Sequence, residues 1–276
     1  MIQFSHQKLQ TMKTILKIAI PVAAIMMLLL LGCKKENSSV SKGKQQLKVY
    51  LTDNPVNFQA VNINIQKVEV KIEVDSAGFE REFWETLQIR PGIYNILNLR
   101  NGVDTLLAQG FVTTGEIKKL RITLGSGNTV MVDNVIYPLT LKKPEVIIDI
   151  DDISEINSGS FKIHIDFDAC GSIIRISNNQ FELQPRIRTF DDDHDGRIEG
   201  KVLPKEAKAI VSVTANGQTL IALPDDEDGE FKIRGIKAGS VDLEINATAG
   251  GYRDTVIKNI QVANREVKLG TILLKK

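Results

Sequence analysis

From residue 47 onward the chain alternates. Leu47, Val49 and Leu51 are separated by Lys48 and Tyr50, and Val61, Ile63 and Ile65 repeat the same period of two. Successive side chains of a strand point to opposite faces, so this pattern makes one apolar and one polar face. At Gln66-Lys67 the phase slips by one residue, and Val68, Val70, Ile72 and Val74 continue on the other parity. A slip with no turn residues predicts a β-bulge or a break between two strands. Further short strands are predicted over 83–89, 93–99, 106–112, 117–124, 130–139, 161–167, 173–176 and 181–187. Gly78, Pro91-Gly92, Asn101-Gly102, Gly115 and Gly125-Ser126-Gly127-Asn128 punctuate them. Nowhere after residue 47 does an apolar period of 3.6 persist over three turns. The expected class is all-β, with two tandem β-sandwich-like domains.

Before this region lies a different kind of sequence. Residues 18–31 are uncharged and apolar and end in Leu30-Leu31-Gly32-Cys33. As a helix the run reaches about 21 Å, short of a hydrocarbon core of about 30 Å, and Pro21 disfavours a long uninterrupted helix. Met12-Lys13-Thr14-Ile15-Leu16-Lys17 supplies a basic segment ahead of it, so Met1 or Met12 serves as the start. A short apolar run behind a basic segment is the pattern of a secretory leader. Residues 1–32 are therefore expected to be a signal peptide.

After removal of residues 1–32, 244 residues remain, enough for two domains. The leader holds Lys8, Lys13 and Lys17 and no acid, so the net charge goes from +1 to −2. That balance offers no electrostatic reason for a nucleic-acid partner. Residues 33–46, polar apart from Val40, read as a tether. The remaining segments are expected as a first β domain over 47–190, an acidic linker over 191–196 and a second β-sandwich over 197–276.

Few residues carry recognisable chemistry. Asp191, Asp193 and Asp195 followed by Gly196 fit the first half of a calcium loop, in which alternate side-chain oxygens face one ion. Position twelve of such a loop is Val202, which has no carboxylate, so a solvated acidic linker is the competing reading. Calcium is the one cofactor this sequence suggests. His164, Asp166 and Asp168 share one face of a strand whose other face is Phe161, Ile163, Ile165 and Phe167. That row suits either a cation or an ordinary solvated strand face. Trp84 reads as a core residue or a flat platform for a sugar. Cys170 has no second thiol once Cys33 is set aside, and reads as a small buried residue. No catalytic set emerges, since only His164 and His194 follow the leader, and no enzymatic activity is expected.

Three resemblances sharpen these expectations. Leu30-Leu31-Gly32-Cys33 resembles the bacterial lipobox, which implies a diacylglyceryl group on Cys33 and cleavage before it; Leu31 departs from the usual small residue. Lys34, next to Cys33, is not the acidic residue that favours inner-membrane retention, so the outer membrane is the expected address by analogy. Leu47-Lys48-Val49-Tyr50-Leu51-Thr52-Asp53-Asn54-Pro55, Asn98-Leu99-Arg100-Asn101-Gly102, Asp166-Phe167-Asp168-Ala169 and Gln184-Pro185-Arg186-Ile187-Arg188 resemble the family 4382 domain of unknown function of Bacteroidetes lipoproteins. That family carries no established activity. Gly200-Lys201-Val202, Asp228-Gly229-Glu230-Phe231 and Leu269-Gly270-Thr271-Ile272 resemble the carboxypeptidase regulatory-like module, a transthyretin-like sandwich of seven strands without peptidase chemistry. Together they imply a lipid-anchored, non-enzymatic envelope module that binds or displays a protein or glycan. The alternatives are a metal-dependent or glycan-processing enzyme using the acidic clusters, and a surface adhesin subunit.

Overall fold

The computed structural model describes residues 43–54, 58–76, 79–150, 155–157, 159–215 and 217–276. The expected leader, Cys33 and most of the tether lie outside the described residues. Residues from Val40 to Lys276 form one compact unit. Within it, two separate apolar cores are built, one from residues 47–183 and one from residues 198–274.

The first core lies between two sheets. In chain order its strands are β1 (Lys44–Asn54), β2 (Ala60–Ser76), β3 (Phe79–Thr86), β4 (Gln88–Ile89), β5 (Gly92–Asn95), β6 (Thr105–Thr113), β7 (Glu116–Leu124) and β8 (Thr129–Val132). There follow β9 (Val135–Leu141), β10 (Glu145–Asp149), β11 (Glu155–Asn157), β12 (Ser160–Asp168), β13 (Ile173–Ser177), β14 (Gln180–Leu183) and β15 (Ile187–Phe190). One sheet runs β11-β12-β1-β6-β4, with β15 on β12; the other runs β10-β7-β2-β8-β9-β14-β13, with β3 and β5 on β2. A four-residue helix, α1 (Ala169–Ser172), follows β12; Asp168 caps it by accepting from the Gly171 amide.

The phase slip has its physical counterpart. β2 is one continuous strand, and its pairing with β7 shifts register between Ile65 and Lys67. The extra residue lets Val61, Ile63 and Ile65 and then Val68, Val70 and Ile72 all face the core, each at most 1% exposed. β1 begins at Lys44, before the alternation is visible: Lys44, Gln45 and Gln46 pair with Thr113, Val112 and Phe111 of β6, and the buried Gln45 side-chain amide donates to the Gly115 carbonyl at 3.0 Å. β1 lies inside its sheet, antiparallel to β6 and parallel to β12.

The second core is a sandwich of seven strands among the described residues. They are β16 (Gly196–Leu203), β17 (Ile210–Ala215), β18 (Gln218–Ala222), β19 (Glu230–Ile236), β20 (Gly239–Asn246), β21 (Thr255–Val262) and β22 (Glu266–Leu273). One sheet is β19-β16-β22 and the other is β18-β17-β20-β21. Asp228-Gly229 reads from sequence as a hairpin turn, but β18 and β19 belong to different sheets. The turn is instead a crossing between sheets. Asp225 Oδ1 accepts from the amides of Glu227, Asp228 and Gly229, and Gly229 has φ +78°. A Cβ there would press on the Val202 carbonyl oxygen.

Candidate functional site

In the polar row of β12, His164 and Asp166 are not solvated, while Asp168 is partly exposed and caps α1. The registers place Tyr50, His164 and Phe190 side by side, and Thr52, Asp166 and Arg188 beside them on the same face. His164 is 0% and Asp166 4% exposed. Two pieces cover this face: the 100–104 connection before β6, and β19 of the second sandwich. Thr52 Oγ1 donates to the Leu99 and Val103 carbonyls at 2.9 and 3.0 Å, which fixes the connection. Asn101 reaches across to the second core through Nδ2 to the Leu223 carbonyl, 2.8 Å.

Two arginines fasten the halves. Arg188 binds Asp166 Oδ2 through Nε at 2.8 Å and Nη2 at 2.6 Å. It also donates to the Gly235 and Arg234 carbonyls. Arg234, on β19, binds Asp192 through Nε and Nη2, and Asp104 Oδ2 and the Gly102 carbonyl through Nη1 at 3.0 and 3.1 Å. Both guanidinium groups lie over the Phe190 ring, at 5.1 and 5.2 Å. Charge-assisted, forked bonds of this kind fix geometry more firmly than neutral ones. Gly235 permits the close approach: its φ is +70°, and a Cβ would fall on Arg188 Nη1 and within 2.7 Å of Phe190 Cγ.

His164 is held between rings, with Tyr50 at 5.4 Å and Phe190 at 4.9 Å between centroids. Its Nε2 lies 3.3 Å from Asp104 Oδ2 and 3.5 Å from Asp192 Oδ2, but off the line of a hydrogen bond. Burial pushes the imidazole pKa down to about 4; the carboxylate of Asp192 opposes this, and Arg234 and Lys162 reinforce it. Burial alone would raise the carboxyl of Asp192, but the bonds from Arg234 outweigh it and hold Asp192 below its usual range. His164 is thus a neutral ring among charges already matched to one another. At the end of β1, Asp53 is 6% exposed, and burial followed by the nearby Asp166 pushes its pKa well above the usual carboxylate range, against a backbone hydrogen bond from Ala169.

The other sequence candidates fall elsewhere. Asp191, Asp193 and Asp195 form a tight connection between β15 and β16. Asp191 Oδ1 accepts from the Asp193 amide and Oδ2 contacts His194 Nδ1, while Asp195 Oδ2 accepts from the Asp191 amide and Oδ1 pairs with Lys237. Among the described residues, the acidic trio whose oxygens lie within 4.8 Å of one another is Asp225, Asp228 and Glu230. Lys201 Nζ already pairs with Asp228 and Glu230 there. Trp84 is not a core residue: it is half-buried on β3, with the Arg121 guanidinium 4.3 Å above its ring and Glu69 bound to that arginine. Cys170 is exposed on α1 rather than buried; partial burial and the neighbouring Asp168 push its thiol pKa up, away from the thiolate. No helix among the described residues is long and apolar enough to cross a membrane, which says nothing about β-barrels.

The family model described as "Domain of unknown function (DUF4382)" matches residues 44–185. The chain belongs to this family. The DUF4382 segment opens with β1 and closes just after β14, so it contains Asp53, Asp104, His164 and Asp166. Arg188, Asp192 and Arg234, which fasten them to the second sandwich, lie beyond it. A search of curated proteins finds no match. Among solved structures the chain is similar to the shaft pilin SpaA of Lactobacillus rhamnosus GG, with 8% identity, 84% of this chain and 97% of that one covered, and a TM-score of 0.26. It is also similar to GBS52, the minor pilin of Streptococcus agalactiae, with 11% identity, coverage of 84% and 96%, and a TM-score of 0.23. The TIE protein of Bacillus anthracis gives 12% identity and a TM-score of 0.20, over 85% of this chain and 34% of that one. At such TM-scores these likenesses carry no argument about this chain.

Proposed function

We propose that the protein is a non-enzymatic, lipid-anchored module of a bacterial envelope that presents its two sandwiches as one linked unit for binding a protein or glycan. The observation that carries this reading is the fate of the chemistry-bearing residues. Asp166, Arg188, Asp192 and Arg234 are matched to one another around the neutral His164 ring at the junction of two cores, where they hold rather than react. A neutral imidazole in a sealed ring stack has no path to a substrate proton. The leader and Cys33 supply the address: two or three acyl chains, at about 0.8 kcal/mol per buried CH₂, hold a protein stably on a membrane. The outer membrane is the proposed location, and a Bacteroidetes-type lipoprotein the proposed class. Residues 197–276 are read as a carboxypeptidase regulatory-like module, supported by seven strands in sheets of three and four. Palmitate labelling of native protein beside a Cys33→Ala variant tests the anchor. Label in the native chain alone is expected, and equal label in both refutes it.

A further inference from the structure

The first sandwich is open along one side, where β10 ends one sheet and β15 borders the other. A groove of about 700 Å³ lies there, and β18, an edge strand of the second sandwich, forms part of its wall. Residues 146–148, 186–188 and 217–221 line it, among others. Alternate residues of a strand point to opposite faces, so consecutive residues line one space only where the strand presents its edge. Among the described residues each of these strands is paired on one side only: β10 by β7, β15 by β12 and β18 by β17.

Open sheet edges are normally guarded by charge or proline. In the second sandwich β19, β21 and β22 follow this rule, with Lys232 and Arg234, with Lys258, and with Glu266 and Lys268. β18 does not: Gln218-Thr219-Leu220-Ile221-Ala222 holds neither, and its first two residues are exposed. Ile147 of β10 adds an apolar side chain to the lining that is 54% exposed. The charge of the groove is unbalanced. Arg188 is committed to Asp166, and Asp168 caps α1 through the Gly171 amide. Arg186 is exposed and has no carboxylate in ion-pair reach among the described residues.

We propose that this groove takes an extended, acidic-ended polypeptide segment of a partner protein, which pairs with β18 as an added strand. This deepens the reading of the chain as a binding module and rests on it. A strand edge offers main-chain donors and acceptors at the spacing of another strand, which a peptide backbone matches and a glycan does not. The ladder supplies affinity, and alternate side chains supply specificity. Apolar side chains of the segment bury against Ile147 and Ile187, and its carboxylate meets Arg186. Five residues, the length of β18, span about 17 Å.

The probe is a fluorescein-labelled hexapeptide of alternating valine and threonine that ends in glutamate, titrated with the full chain in detergent and followed by anisotropy. A lysine-ended counterpart binds roughly three- to tenfold more weakly. Methylation of alternate amide nitrogens in the peptide removes ladder donors and weakens binding at least about tenfold. Arg186→Glu inverts the preference between the two peptides. Ile147→Lys weakens binding about tenfold, whereas Ile176→Lys, at an isoleucine exposed on the edge strand β13, leaves it unchanged. No anisotropy change at submillimolar chain overturns the proposal. So does an unchanged charge preference in Arg186→Glu, or equal binding by Ile147→Lys and the parent. A dimer of the parent chain that Ile147→Lys dissolves would seat a second copy in the groove and overturn the choice of occupant. Equal palmitate label in the Cys33→Ala comparison, by contrast, fails the envelope reading and leaves peptide binding standing.

Discussion

Acidification should unfasten this protein through one residue, His164. An imidazole of ordinary pKa 6.5 that falls to about 4 in the folded chain is neutral there while its unfolded counterpart takes up a proton. The unfolded state therefore binds more protons between these values, and stability is lost as pH falls from about 6.5 towards about 4. At pH 5 the linkage amounts to about 2 kcal/mol, and below the folded pKa it approaches about 3 kcal/mol. The groups facing the ring are Asp104, Asp192, Arg234 and Lys162, so the proton enters a site whose anions already belong to Arg234. His164→Phe keeps the stack with Tyr50 and Phe190 but cannot titrate. Urea unfolding of the parent and the variant at pH 7.5 and pH 5.0 measures the effect. The parent should lose about 2 kcal/mol more than the variant between the two pH values. Equal losses would refute the claim that His164 is buried neutral.

Two further substitutions probe the fastening itself. Arg234→Ala leaves Asp104 and Asp192 without their cation; both keep about a quarter of their side-chain exposure, so the loss is roughly 2–3 kcal/mol rather than that of a fully buried pair. Scanning calorimetry should show one transition dividing into two, and an unchanged single transition would count against the junction as the coupling element. Gly235→Ala places a Cβ on Arg188 and Phe190 at a φ of +70° and should cost about 1–3 kcal/mol by urea unfolding.

Much of the fold is legible in the chain because strand burial has a period of two. The β2 bulge and the inward faces of β1 and β12 both follow from that period. The exceptions have local causes. The predicted strand over 93–99 stops at Asn95, whose side chain accepts from the Leu97 amide and starts a 3-10 turn. The predicted strand over 130–139 is a hairpin, since Asp133 and Asn134 both take positive φ. The junction was not legible, because its members are up to 132 residues apart. A row such as His164-Asp166 looks the same in sequence whether water or a second sandwich covers it. Arg188 and Arg234 stand in ordinary alternating sequence, Arg186-Ile187-Arg188-Thr189 and Lys232-Ile233-Arg234-Gly235, which carries no separate sign of the partners they meet.

The first strand among the described residues, β1, is also an interior strand of its sheet, flanked on both sides along most of its length. A pull on the amino-terminal end acts along that strand and must slide it past two neighbours at once. The ladders on both flanks then share the load, instead of parting one rung at a time as at a sheet edge. Tension applied from that end is met in shear by both ladders.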